Sequence, residues 1–429
     1  MTAIVGILNK QAVAMAADSA VTIGGSNGKK IFNKANKVFA LSKSHPVGIM
    51  IYNAASFMGT PWETIIKVYR KQLKDKCFNT LNEYHVDFLA FLKSKNYYTD
   101  DVIQRDFLEN FSLNLVNTII NDAIAVNNSI TLNPTPENRA IFLQNLEVKV
   151  DSLIDIWSVN TDFCPEFENY TFENFAIYSN AIFDTINQIR FIQNEVIISD
   201  DLFLKIKRTI FYLLRAKQNF NSFTGLIFTG FGEDEIYPSL IPVFISMVVD
   251  NRLHYFIDNN QTAKISNDNS GSIKPFAQTD VIDTILTGID PSLDTIYTSN
   301  FEELLKKYNQ TILDAIGDTN PLLTEQITNL DTSLIVNEFN SLNQQIKREN
   351  YIAPLMNAVS NLDKEDLAEM AESLIYLTYL KRRITFAEES VGGPVDVAII
   401  SKGDGFVWIK RKHYFRPELN QHFFDNYFK

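Results

Sequence analysis

The chain has 429 residues, 45% of them hydrophobic and 21% charged, which suits a globular protein of two or three domains or one core with large insertions. A diffuse net charge of −12 argues against nucleic acid as a partner, because phosphate binding needs clustered Lys and Arg. The two cysteines, Cys77 and Cys164, lie far apart with no CxxC spacing, so they supply no zinc framework and fit a reducing compartment.

The first residues, MTAIVGILNKQAVAMAAD, lack a basic region leading an apolar stretch of signal-peptide length. The longest apolar runs, residues 47–58 and 240–249, fall short of the roughly 20 needed to span a bilayer. The expectation is a cytoplasmic protein with no membrane partner.

In chain order, residues 3–8 and 12–17 are apolar runs separated by a polar turn, which predicts a buried hairpin. Residues 20–23 and 30–32 flank a glycine-rich turn, and 37–41 and 47–52 form a further antiparallel pair. From Thr60 to about Gln218 the pattern is helical. Thr60-Pro61 and Thr135-Pro136 each read as an N-cap followed by proline at the first helical position, and Ser199 reads as another cap. Strand patterns return over 225–256, and residues 300–350 are again helical. An amphipathic helix follows over 363–381, with Leu367, Met370, Ala371, Leu374 and Leu377 on one face. The segments VGGPVDVAIIS and FVWIKRK, joined by KGDG, close the chain as a hairpin.

HExxH, GxSxG and a GxGxxG following a strand are all absent, and the five histidines have no metal-ligand spacing. No metal and no cofactor is expected. GGSNGKK has the wrong glycine spacing for a phosphate loop and reads as a hairpin turn. Thr2 becomes N-terminal if Met1 is removed. Its free α-amine, titrating near 7.7–8.0, would then act as base for its own hydroxyl. A Met-Thr start alone says little. Taken singly, Asp18 reads as a hairpin-end carboxylate and Lys37 as a surface strand lysine.

The context of these three residues is more specific. TAIVGILNKQAVAMAADSAVT, followed by NKVFAL, resembles the start of mature proteasome β subunits and of the bacterial HslV peptidase. That resemblance implies Thr2 as nucleophile, Lys37 as the cation that lowers its pKa, and Asp18 as the carboxylate that orients Lys37. In IMIYNAASFMG, Ala54 sits nearest the family's backbone oxyanion donor. In EESVGGPVDVAII, Glu388 and Ser390 stand near the family's supporting acidic residue and serine, with Val391 in the serine's own place. Thr22 matches the strand that pairs with substrate, and a solvent-facing strand threonine is an equal reading.

The resemblance covers residues 2–75, 223–292 and 363–412. It implies an α+β fold, the four-layer αββα sandwich of N-terminal-nucleophile hydrolases, built from two antiparallel sheets with large helical insertions. The expected organisation is a core start at 1–75, a helical insertion at 76–222, and central strands at 223–292. A second insertion at 293–360, a last helix with the closing hairpin at 361–412, and a tail at 413–429 complete it. The function so implied is a threonine-type peptidase or amide hydrolase acting on a peptide or protein substrate. It would be assembled as a homo-oligomer, with an ATPase unfoldase as a further partner. The alternative is a non-catalytic scaffold or interaction protein on the same fold.

Overall fold

In a computed structural model of the chain, the described residues are 2–25, 28–32, 34–94, 100–126, 135–220, 222–316, 321–385, 391–413 and 415–422. The strands are β1 (Ala3–Asn9), β2 (Ala12–Ala17), β3 (Val21–Gly25), β4 (Gly28–Phe32), β5 (Val38–Ala40), β6 (Val47–Asn53), β7 (Ser56–Phe57) and β8 (Thr60–Pro61). Among the described residues the α-helices α1 (Trp62–Leu73), α2 (Leu81–Lys93), α3 (Asp101–Ala125), α4 (Pro136–Ser158), α5 (Phe172–Tyr178), α6 (Asn180–Arg190) and α7 (Asp200–Arg215) follow. Then come β9 (Thr224–Gly230), β10 (Ser239–Val249), β11 (Arg252–Ile257), β12 (Ala263–Lys264) and β13 (Gly271–Ala277). The last helices are α8 (Asp280–Thr287), α9 (Pro291–Ile316), α10 (Pro321–Thr328), α11 (Ser333–Lys347), α12 (Ala353–Asn361) and α13 (Lys364–Ile384), and β14 (Asp396–Ser401) and β15 (Gly405–Lys410) close the chain.

The protein is α+β, with two main antiparallel sheets. Its contacts divide it into two compact units. One comprises Met1–Tyr52, Thr229–Leu240 and Ala263–Lys429, and the other Asn53–Phe228 and Ile241–Thr262.

The first unit holds the five-stranded sheet, ordered β13-β1-β2-β14-β15. Both faces of its central strands are covered, so β1 and β2 are apolar throughout rather than alternating. Ala3, Val5 and Ile7 of β1, with Ala12, Ala14 and Ala16 of β2 and Val397 and Ile399 of β14, pack on Leu367, Ala371, Leu374 and Ile375 of α13. Full burial of each such Leu or Ile contributes about 1.5–3 kcal/mol. The small side chains on β2 let α13 lie close to the strand. Asn9 ties the far end of β1 to the helices, its side-chain amide donating to the carbonyls of Val359 and Leu362.

The opposite face meets β5 and β6, which pair antiparallel with Val38 opposite Met50. The approach is close at Gly48, where an added Cβ would stand 2.8 Å from the Met15 side chain and 2.9 Å from that of Ile400. Glycine there is a packing requirement. The second main sheet has six strands, β5, β6 and β9 to β12. Within the first unit the start of β10 pairs with β12.

The second unit carries α1 to α7 and the β10–β11 hairpin, in which Val248 faces Leu253. Asp250 and Asn251 turn that hairpin with φ of 48° and 58°, the left-handed pair that a two-residue type I′ turn needs. The Gln104 side chain of α3 donates to Asn251 Oδ1 and accepts the Asn251 main-chain N–H. The interior is aromatic. Phe88 packs against Trp62, Tyr69 and Phe228, and the Trp62 indole N–H donates to Thr224 Oγ1 at 2.8 Å.

Two local expectations fail for physical reasons. Thr60-Pro61 does not cap α1. Thr60 pairs with Phe57 in the β7–β8 ladder, Pro61 is the N-cap, and the Trp62 N–H is taken by the Ala55 carbonyl instead. Leu377 is 44% exposed, because the buried stripe of α13 runs through Ala371, Leu374, Ile375 and Thr378 and leaves Leu377 at its margin. Thr135 and Ser199 do cap their helices, accepting from the N–H groups of Asn138 and Leu202. Among the described residues no helix is long and apolar enough to cross a membrane.

Candidate functional site

One end of the five-stranded sheet brings together Thr2, Asp18 and Lys37 of the residues singled out by sequence. Ala3 opens β1 opposite Ala277 of β13, and Asp396 opens β14 opposite Ala17 of β2. Thr2, Gln278, Asp18 and Asp396 therefore converge where these four strands begin or finish. Thr2 is 5% exposed, and its carbonyl accepts the Gln278 N–H at 3.1 Å, which carries the ladder one residue past β1. Strand alternation puts the Thr2 side chain on the face of Ile4 and Gly6, the one turned to β5 and β6. Met1 lies outside the described residues.

Asp18 is almost fully buried and fully used. Its Oδ1 accepts from the Ala3 N–H at 2.9 Å and from Lys37 Nζ at 2.7 Å. Its Oδ2 accepts from the N–H groups of Ala20, at 3.0 Å, and Gly392, at 3.1 Å. The buried Lys37 enters just before β5. Its main-chain carbonyl is held by the Ile51 N–H, and its ammonium also donates to the Ala20 carbonyl at 2.6 Å. Lys37 thus stands within two hydrogen-bond lengths of the peptide nitrogen that follows Thr2, bridged by one carboxylate oxygen.

Burial pushes the Lys37 ammonium below its ordinary pKa, and the Asp18 charge and hydrogen bond pull against that. A lysine so placed is a strongly coupled cation with little access to water. A positive charge here favours a neutral amine and an ionised alkoxide on residue 2, which is the electrostatic condition for activating a hydroxyl.

The segment after α13 closes the site. Ser19 donates its N–H to the Gly392 carbonyl at 3.0 Å and its hydroxyl to the Pro394 carbonyl. Gly393, at φ 78°, supplies the left-handed residue that turns the chain between those contacts. Val391 is buried in the apolar cluster under α13, so the position at which the resemblance expects serine carries hydrocarbon. Glu388 and Ser390 lie outside the described residues. Thr22 sits in β3 opposite Ile31, and its side chain is likewise outside them.

Ala54 belongs to the second unit. It follows β6, and its carbonyl accepts the Thr224 hydroxyl at 3.2 Å. Asp280, at the start of α8, is ion-paired to Lys381 and Arg382 of α13.

Sequence reasoning missed two charged residues at this end of the sheet. Asp396 is 2% exposed and ion-paired with Lys412. The available signal was a carboxylate inside the apolar run VDVAII, which can be buried only with a partner. Among the described residues no group of His, Cys, Asp and Glu could hold a metal ion. Compared with protein-family models and with curated proteins, the sequence matches none.

Proposed function

We propose that this chain is an N-terminal-threonine hydrolase of the proteasome β-subunit and HslV type, its sheets and helices forming the αββα sandwich of that class. The observation that carries the reading is the shared Asp18 Oδ1, which binds the buried Lys37 ammonium and the Ala3 N–H together. A cation desolvated beside residue 2 and held by Asp18 is what a threonine nucleophile requires. A scaffold has no need of it.

With Met1 removed, the Thr2 α-amine takes the proton from its own hydroxyl as Oγ attacks a carbonyl carbon. The amine returns that proton to the departing amine of the substrate. Water then attacks the ester so formed and frees Thr2. Lys37 lowers the proton affinity of both Thr2 groups, and Asp18 keeps Lys37 charged and aimed. The substrate class we favour is a peptide, with homo-oligomers and an ATPase unfoldase as the assembly.

The test is intact mass with labelling by a β-lactone or peptide epoxyketone, comparing wild type with Thr2→Ala. Loss of Met1 and a single adduct that Thr2→Ala abolishes is the expected result. A retained Met1, or a Met1-free chain with no Thr2-dependent adduct, overturns the hydrolase reading in favour of a non-catalytic scaffold.

A further inference from the structure

Asp18 and Lys37 have neighbours that the proposed chemistry does not use. Asp396, buried at the start of β14, accepts the Lys412 main-chain N–H at 2.9 Å on Oδ1 and the Lys412 ammonium on Oδ2. Lys412 thus folds back on one carboxylate with both its backbone and its side chain, and that side chain is only 10% exposed. The segment from Gly392 to Asp396 holds both carboxylates. Gly392 donates to Asp18, Ser19 is pinned to Gly392 and Pro394, and Asp396 pairs across the ladder with Ala17, the residue before Asp18. Two buried ion pairs therefore lie at the same end of one sheet, joined by five residues of chain.

The charged groups acting on Lys37 are Asp18 at the end of β2, Asp396 at the start of β14 and Lys412 beyond β15. Lys412 pushes the Lys37 pKa down and Asp396 pushes it up, so the second pair acts on the first in opposite senses through its two members. A pair kept only for stability is replaceable by well-packed apolar side chains at little or no loss. Val or Ile at 396 would continue the apolar strand that surrounds it.

We propose that Asp396 and Lys412 are a positioning pair for the Asp18–Lys37 site, a second buried dipole whose balance sets the charge felt at Lys37 and Thr2. The catalytic consequence rests on the hydrolase reading, whereas the coupling of the two pairs does not.

Two readouts separate them. One is the titration of the Lys37 13Cε resonance, assigned by its loss in Lys37→Arg. The other is the pH dependence of Thr2 acylation by a β-lactone. Lys412→Met leaves a bare carboxylate, so Lys37 titrates higher and the acid limb of acylation moves up in pH. Asp396→Asn leaves a bare ammonium, and both move down. Each shift is expected at about 0.5–1 pH unit, the effect of one charge across a partly screened interior. Lys412→Arg keeps the wild-type values. Should Asp396→Asn fail to fold, Lys412→Met against Lys412→Arg decides alone. Shifts in the same direction for Lys412→Met and Asp396→Asn, or no shift in folded protein, overturn the proposal. Opposite Lys37 shifts without any acylation of wild-type Thr2 uphold the pair and overturn the hydrolase reading instead.

Discussion

The Asp18–Lys37 pair makes an energetic prediction that holds whatever the reaction. Lys37→Met removes the cation but leaves Asp18 with the N–H groups of Ala3, Ala20 and Gly392, so the carboxylate stays solvated by the backbone. Breaking a buried pair in this way costs roughly 3–5 kcal/mol, and the three remaining donors place Lys37→Met at the lower end. Asp18→Ala is worse. It strands the ammonium with only the Ala20 carbonyl and leaves three buried N–H groups bare, each costing about 1–3 kcal/mol. Asp18→Ala should therefore cost more than Lys37→Met, by at least about 2 kcal/mol. In the Asp18→Ala background the cation is a liability, so adding Lys37→Met should restore stability rather than lower it further. The assay is the urea dependence of hydrogen exchange in peptides covering β1 and β2, read as a double-mutant cycle. Additive costs, or single-variant costs below about 1 kcal/mol, the range of an exposed pair, would refute the reasoning.

Two further predictions concern packing and pH. His254 is buried, with Nε2–H donated to the Leu214 carbonyl, Nδ1 without a hydrogen-bond partner, and the ring stacked 4.3 Å from that of Phe220. Burial lowers its pKa from 6.5 to about 4. The fold therefore favours the neutral ring, and this contribution is complete above pH 6.5 and is lost as pH falls toward 4. It amounts to about 3 kcal/mol, so urea midpoints of the second unit should fall less steeply between pH 6.5 and 4 in His254→Gln than in wild type. Equal slopes would show that His254 does not titrate in this way. At Gly48, Gly48→Val should lower stability by about 1–3 kcal/mol through overpacking against Met15 and Ile400. Thermal melts of Gly48→Val with and without Met15→Ala check the contact, which predicts partial rescue by the second change.

The sequence was most legible where one rule dominated. β1 and β2 are buried on both faces and read directly as unbroken apolar runs. Thr135 and Ser199 cap helices as their local sequence predicts, each accepting from the N–H three residues on. Thr60 was misread because the short β7–β8 ladder claimed its backbone first, a contact between residues whose local pattern is unremarkable in one dimension. Asp18 and Lys37 are separated by 19 residues and could be paired only through the resemblance. Asp396 and Lys412 had no such guide. They meet across the closing hairpin, in which Val397 pairs with Lys410, whereas the β14–β2 pairing that sets them at the Asp18 end of the sheet is invisible in the local sequence.

The composition of the sheet bears on why charge is buried there at all. From Ala3 to Leu8 and from Ala12 to Ala17 every side chain is apolar or absent, and both faces are closed by packing. That interior would stabilise the first unit without ionic help. Yet the end at which residue 2 enters carries two carboxylates and two ammonium groups, each buried or nearly so. Desolvating four charges costs several kcal/mol per ion before pairing recovers it, and an apolar set of similar volume would do as well or better for stability. Buried ionic groups beyond what stability needs support the proposed reading of this end of the sheet as a site. Under the proposed function the group that such a field acts on is the hydroxyl of Thr2, which strand alternation puts on the face of β1 turned to β5 and β6.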